Sequence, residues 1–246
     1  MSETKTSERY WQNWDHGQAA RRIDDYWIKN ELPWREVVTR DIKAVFGTKV
    51  PLLEVGCGSG LIYEQLRRSG VVTRRSYAGG DISENMLKIA RERFPGVTFS
   101  ALDIFKLSPP DRSQRNVLNV HVLQHLPHYQ DAVRELLRIT NETLYVVTWF
   151  TRKADDQITF CDPSDQWDKQ AFFNNYYSLP KFLSFLFFST TRPIADVRVH
   201  QFGPWADSYS IALTFADSNG RISPLPAGQR IRRRIGQIVR SVRSRT

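Results

Sequence analysis

The sequence has little cysteine, with Cys57 and Cys161 the only two. Two cysteines make neither a disulfide framework nor a zinc spacing, which points to a reducing compartment. A long hydrophobic run is also missing. The richest apolar stretch, Phe182–Phe188, is interrupted by Ser184 and is too short to span a bilayer. The N-terminal residues 1–9 are polar and lack the apolar core of a signal peptide. These absences lead us to expect a soluble, cytoplasmic protein. Acids are missing from one place in particular: between Ala227 and Thr246 there are seven arginines and no Asp or Glu. The net charge of +9 is therefore mostly a property of this tail, with +2 left for the rest. Such a balance does not mark the folded part as a nucleic-acid binder, and nucleic acid is not an expected partner. No internal repeat is present. A chain of 246 residues, 41% of them hydrophobic, suffices for one α/β domain with a sizeable core.

What the chain does have is the stretch Leu52-Leu53-Glu54-Val55-Gly56-Cys57-Gly58-Ser59-Gly60, followed by the helical pattern Leu61–Leu66. It reads as a buried strand, a glycine turn and a helix, the arrangement that binds ligands in many α/β folds. The dinucleotide fingerprint G-x-G-x-x-G fails, because Leu61 and Tyr63 stand where its third glycine would be. A P-loop fails for lack of a following Lys-Ser/Thr pair. Glu54, two residues before the first glycine, suits a ligand carrying positive charge. Two further acids end predicted strands: Asp81 after Tyr77-Ala78-Gly79-Gly80, and Asp103 within Val97–Ile104. Asp81 lies 21 residues after Gly60, where a carboxylate can accept both hydroxyls of a ribose.

The E-x-G-x-G-x-G stretch, with Asp81 and Asp103 following at two spacings of about twenty residues, resembles the first motifs of the class I S-adenosylmethionine (SAM) dependent methyltransferases of the small-molecule type. The resemblance covers about residues 30–216. It implies an α/β, Rossmann-like seven-stranded mixed sheet in the order 3-2-1-4-5-7-6, the last strand antiparallel, flanked by helices and preceded by an N-terminal helical cap. It implies SAM as cofactor, with Glu54 and the turn residues Gly56, Cys57, Gly58 and Gly60 around it. Asp81 would accept the ribose hydroxyls and Asp103 the adenine amino group, and Ile82, Met86, Ile104 and Val120 would be further cofactor-binding residues.

The rest of the chain divides accordingly. Residues 1–9 read as disordered, and a methyltransferase domain spans 10–217. Its cap, 10–48, is dense in aromatics (Tyr10, Trp11, Trp14, Tyr26, Trp27, Trp34), and Tyr10–Trp14 would form a lid over the cofactor. Trp34, Val37, Val38, Ile42, Val45 and Phe46 recur at helical spacing up to Gly47. A fourth strand, Asn116–Val120, runs into His121-Val122-Leu123-Gln124-His125-Leu126, which resembles the family's V-L-x-H-L segment. A helix over Gln130–Thr140 and a strand over Thr143–Trp149 come next. A substrate insert of about 150–193 precedes a closing pair of strands, Ala195–Phe202 and Tyr209–Ala216. Residues 218–229 form a linker and 230–246 a basic tail.

Methyl transfer to a hydroxyl needs a base, and His125 is the first candidate, His121 the second. Spacings of four and three between His121, His125 and His128 could put the three rings on one helical face, but Pro127 disfavours helix there. No metal site is expected. Trp149, Asn174, Asn175, Tyr176 and Tyr177 combine aromatics and amides as a flat, hydroxylated ligand requires, so the expected acceptor is a sugar, glycan or other small natural product. The alternatives are a small-molecule N-methyltransferase, a non-catalytic SAM-binding docking protein and an RNA methyltransferase. In the tail, Ile231, Ile235, Ile238 and Val242 make one helical stripe flanked by arginines, the pattern of a helix for an anionic membrane surface, which would place the protein peripherally at the inner face of the membrane.

Overall fold

The computed structural model describes residues 17–30, 32–161, 172–202 and 207–216. Two helices come first, α1 (Gly17–Asn30) and α2 (Leu32–Phe46). Gly47 ends α2 as its sequence suggests, with φ of 81° and its N–H donated to the Lys43 carbonyl at 2.8 Å. Alternating units follow: β1 (Leu52–Val55), α3 (Leu61–Arg68), β2 (Tyr77–Asp81), α4 (Glu84–Arg93), β3 (Thr98–Ala101) and β4 (Gln114–Val120). A short 3-10 turn, Leu123–His125, leads to α5 (Gln130–Ile139) and β5 (Thr140–Thr151). The insert contributes β6 (Phe160–Cys161), β7 (Phe172–Phe173), β8 (Tyr177–Ser178) and α6 (Leu179–Phe188), and β9 (Ile194–Gln201) and β10 (Ser208–Phe215) close the domain.

The main sheet runs β3-β2-β1-β4-β5-β10-β9. The pairs from β3 to β5 are parallel, and β10 is antiparallel to both β5 and β9. With β9 and β10 as sixth and seventh strands, this is the expected 3-2-1-4-5-7-6 order with an antiparallel last strand. β8 adds to the end of β5 through Phe150–Tyr177 and Thr151–Ser178, a pairing that the sequence pattern does not announce.

Strand alternation divides the core between the two faces of the sheet. Leu144 and Val146 of β5 face one cluster with Val133 and Leu136 of α5 and Phe182 and Leu186 of α6. Tyr145 and Val147 face the other, with Val38 and Ile42 of α2, Ile62 and Leu66 of α3 and Leu87 of α4. Helices on both faces explain why β10 is buried along its whole length. The α6 residues Phe182 and Leu186 thus belong to the core.

The largest boundary differences from the sequence pattern, three residues each, are the start of β5 and the end of β3. β5 starts at Thr140, directly from α5, where Thr140 donates its hydroxyl to the Leu136 carbonyl at 2.6 Å. β3 ends at Ala101, because Asp103 turns the chain: its Oδ1 accepts the Phe105 N–H at 2.9 Å. The Tyr10–Trp14 lid, the linker and the tail lie outside the described residues. Among the described residues no helix is long and apolar enough to cross a membrane.

Candidate active site

β1 lies between β2 and β4, where the strand order reverses, and the loops leaving the carboxyl ends of these strands open into a crevice. The glycine turn forms its floor. Gly56 has φ of 82°, and its N–H and that of Cys57 both donate to the Gly80 carbonyl, at 2.7 and 3.0 Å. A side chain at Gly56 is excluded twice, by this left-handed backbone and by Val122, whose Cγ2 would sit 2.1 Å from an added Cβ. Asp81 fastens the turn from the end of β2: Oδ2 accepts the Gly58 N–H at 2.8 Å and Oδ1 the Ser83 N–H at 2.9 Å. A bound ligand's hydroxyls would share these oxygens with the two amides.

The crevice is a cavity of about 610 Å³, within the range of small-molecule and cofactor sites. Glu54 lies on its wall, only 1% exposed, and accepts the Tyr77 hydroxyl proton. Burial pushes its carboxyl up to about 8, and the nearby Asp81 adds to the rise. At neutral pH burial therefore favours the protonated form of Glu54, and a cation placed beside it would restore the carboxylate. Among the described wall residues Arg35 is the only permanent cation; it is 4% exposed and donates to the Trp27 carbonyl at 2.8 Å.

Helices α1 and α2 roof this part. Asp24 of α1, 4% exposed, accepts the Ser59 hydroxyl of the glycine turn at 2.5 Å and forms an ion pair with Arg93 of α4. Trp27 comes within 3.6 Å of the position that a Cβ on Gly58 would take. Ile23 packs with Met86 and Ile89, so α1 is held by apolar contact as well.

The other end of the cavity is built by the segment after β4. His121 takes φ of 53° and turns the chain into the 3-10 turn. Gln124, 1% exposed, lies between the two histidines: its Nε2 is 2.7 Å from His121 Nδ1 and 3.4 Å from His125 Nε2. Thr148 donates its hydroxyl to Gln124 Oε1 at 2.8 Å. His125 Nδ1 lies 2.8 Å from the Phe173 carbonyl of β7, and that carbonyl can only accept. Burial holds both imidazoles well below their ordinary value, His121 at about 3 and His125 at about 4; for His121, the neighbouring His125 adds to the shift. Both rings are neutral at physiological pH. Trp34 meets His121 edge to face at 4.3 Å, and Trp149 meets both imidazoles, at 5.7 and 6.0 Å.

Among the residues singled out from sequence, the structure brings Glu54, Gly56, Cys57, Gly58, Asp81, Ile82, Met86, Asp103, Ile104 and Val120 to one wall system, with His121, His125, Trp149 and Asn174. Four do not reach it. Gly60 begins α3, and its Cα faces Phe94 and Phe99, where an added Cβ would meet a ring carbon at 3.0 Å. Asn175 is fully buried in the scaffold, its amide donating to the Leu126 carbonyl at 2.7 Å and its Oδ1 accepting the Thr159 N–H at 2.9 Å. Tyr177 donates its hydroxyl to the Leu123 carbonyl at 2.8 Å. Tyr176 stacks on Trp149, with ring centroids 5.4 Å apart. His128 is also apart, packed on Phe105. Sequence reasoning gave no role to Gln124, Arg35 or Asp24. Gln124 stood inside the V-L-x-H-L segment, the one signal that pointed to it.

Residues 53–148, from β1 to β5, match the family model described as a methyltransferase domain. These residues carry a methyltransferase domain, set in the fold of the class I SAM-dependent methyltransferases. Solved structures agree with this fold. One is a SAM-dependent methyltransferase from Thermotoga maritima, described as a possible histamine N-methyltransferase: 16% identity, TM-score 0.58, covering 83% of this chain and 99% of that one. A SAM-dependent methyltransferase from Methanococcus maripaludis has 14% identity and a TM-score of 0.58, over 80% of this chain and 92% of that one. The [4+2]-cyclase SpnF has 20% identity and a TM-score of 0.51, over 73% of this chain and 80% of that one. No curated protein matches the sequence.

The methyltransferase domain's cofactor is SAM, and its residues fit that group. Among the described residues no cation pairs with the buried acid Glu54 at the glycine turn, and SAM carries an ammonium and a sulfonium. Asp81 offers carboxylate oxygens at the strand end where a ribose would lie. Asp103 is exposed at the rim, and its Oδ1 is committed to its own turn.

Proposed function

We propose that this methyltransferase acts on a hydroxyl of a small, neutral acceptor such as a sugar, a glycan or another natural product, with His125 as the base. The observation that supports this most is the hydrogen bond from His125 Nδ1 to the Phe173 carbonyl. A ring that donates through Nδ1 and is neutral keeps Nε2 as an acceptor. His125 lines the cavity, so once an acceptor hydroxyl takes the place of Gln124 Nε2, 3.4 Å away, this nitrogen can hold the proton that the hydroxyl loses as it attacks.

When bound, SAM supplies an electrophilic methyl group on a sulfonium and a good leaving group. The remaining work falls to the chain: Glu54, Asp81 and Asp103 bind, the α1–α2 roof excludes water, and aromatic walls orient the acceptor. Trp34, Trp149 and Phe172 supply those walls, and Asn174 and Ser208 supply neutral polar groups. Among the described residues this end of the cavity has no carboxylate, which favours a neutral acceptor over a protonated amine.

The fold does not name the reaction, as a [4+2]-cyclase among the structural neighbours illustrates. The test is product identification. Purified protein and methyl-labelled SAM are offered a panel of hydroxylated acceptors and of amines, and products are analysed by mass spectrometry and NMR. Label on an acceptor oxygen supports the reading. Label on amine nitrogens alone overturns it in favour of an N-methyltransferase, and SAM binding without transfer to any acceptor favours a docking protein.

A further inference from the structure

The two cavity histidines differ in their hydrogen-bond partners, and the group between them is one amide. Gln124 Oε1 accepts from the Thr148 hydroxyl at 2.8 Å, which orients the amide so that Nε2 faces the rings. An amide nitrogen carries two protons and no acceptor, so each ring nitrogen that faces Nε2 must present a lone pair. His121 faces it with Nδ1 at 2.7 Å, and the proton of this neutral ring must then be on Nε2, where Ser208 Oγ accepts it at 3.4 Å. His125 faces it with Nε2 at 3.4 Å, and its proton must be on Nδ1, where the Phe173 carbonyl accepts it at 2.8 Å. The Gln124 backbone is fixed too, its carbonyl accepting the Asn175 N–H at 2.9 Å. The oriented amide thus sets the tautomer of His121 and matches the opposite one that the Phe173 carbonyl sets at His125, four positions on.

We infer that Gln124 is a positioning residue that makes His121 the proton-donating ring and His125 the proton-accepting ring of the cavity, with the insert strand β7 holding the second tautomer in place. This rests on the proposed role of His125 and extends it. His121 and His125 are then not interchangeable bases, because only His125 has its lone pair on Nε2. The arrangement also links the insert to the chemistry. Phe173 and Asn175 belong to the segment that carries the candidate acceptor contacts, and each bonds to a residue of the relay, so an acceptor that displaces this segment alters the tautomer of the base.

The test reads tautomers directly, since ring-proton positions are assigned from hydrogen bonding and not seen. Long-range ¹H–¹⁵N spectra of the full chain, bound to SAM, should show His121 as Nε2–H and His125 as Nδ1–H. The opposite form at either ring overturns the proposal without any mutation. Gln124→Glu replaces the donor by an acceptor of the same shape, and His121 should move its proton to Nδ1, with both rings titrating at higher pH than in the wild type. Gln124→Met removes the donor, and His121 should become a mixture of tautomers. Retention of the wild-type His121 tautomer in a folded variant shows the amide to be mere packing. Calorimetry of SAM binding is followed in parallel. Its loss in the wild-type chain would count against the methyltransferase reading itself, whereas unchanged tautomers in Gln124 variants count only against the relay.

Discussion

Asp24 of α1 accepts the hydroxyl proton of Ser59 in the glycine turn at 2.5 Å, and the same carboxylate forms an ion pair with Arg93 of α4. One buried acid therefore joins the roof, the turn and the helix after β2. Replacing it with alanine leaves Ser59 and Arg93 without their partner, at a cost of about 1–3 kcal/mol. Asp24→Ala should weaken SAM binding although Asp24 is not among the cavity-lining residues, and amide exchange in α1 should accelerate. Calorimetry and hydrogen exchange check the two effects, and normal affinity with a loosened α1 would detach the roof from cofactor binding.

Glu54 gives a pH signature. Its folded-state value of about 8 lies above the ordinary 4.5, so near neutral pH the folded chain keeps a proton that the unfolded chain has released. This contribution to stability is complete below about pH 4.5 and is lost as the pH rises through about 8. A bound cation reverses the preference. SAM binding should release a proton, and affinity should rise with pH by at most about tenfold per unit until about pH 8. Glu54→Gln should abolish both dependences. Calorimetry in buffers of different ionisation enthalpy measures the proton release, and equal release in Glu54→Gln would place the titrating group elsewhere.

The histidines contribute with the opposite sign. Values of about 3 and 4, below the ordinary 6.5, mean that the unfolded chain takes up protons as the pH falls below about 6.5 while the folded chain does not. Stability should fall in that window by up to about 1.4 kcal/mol per pH unit for each ring. Denaturant unfolding at stepped pH should show a shallower acid limb in His121→Asn and in His125→Asn.

If His125 Nε2 takes the acceptor's proton, His125→Ala should lower kcat about 10²–10⁴-fold with SAM affinity retained. A loss below about fivefold would leave alignment alone as the source of catalysis. Asp81→Ala should instead weaken SAM by about 1–3 kcal/mol, since it also frees the Gly58 and Ser83 amides.

The basic tail gives a membrane prediction. The full chain should co-sediment with anionic vesicles, a chain ending at Gly228 should not, and high salt should release the full chain, with each arginine contributing on the order of 1 kcal/mol. Equal pelleting of both chains removes the electrostatic anchor.

The glycine turn and the acids at Asp81 and Asp103 were legible in the sequence because each is a local event, a strand running into a turn. The strand order followed from the family that these residues resemble. The relay was not legible, because the role of Gln124 depends on Thr148 and Phe173, far along the chain, and a glutamine in an apolar segment looks the same whether it orients a ring or faces solvent. Asn175 and Tyr177 show the converse. Their polarity suited an acceptor pocket equally well, yet the loop after β4 needs buried donors for its carbonyls, and these two side chains supply them. Asp24 was hidden for the same reason as Gln124, its partner Ser59 lying 35 positions away.

His121 carries a conflict between fold and chemistry. Its φ of 53° is a backbone state that glycine adopts freely and a side chain adopts at a cost. His121→Gly should therefore harm the fold less than His121→Ala, even though it deletes more atoms. At this position backbone and ring make opposite demands: glycine suits the turn, while histidine supplies the contacts to Trp34 and Gln124.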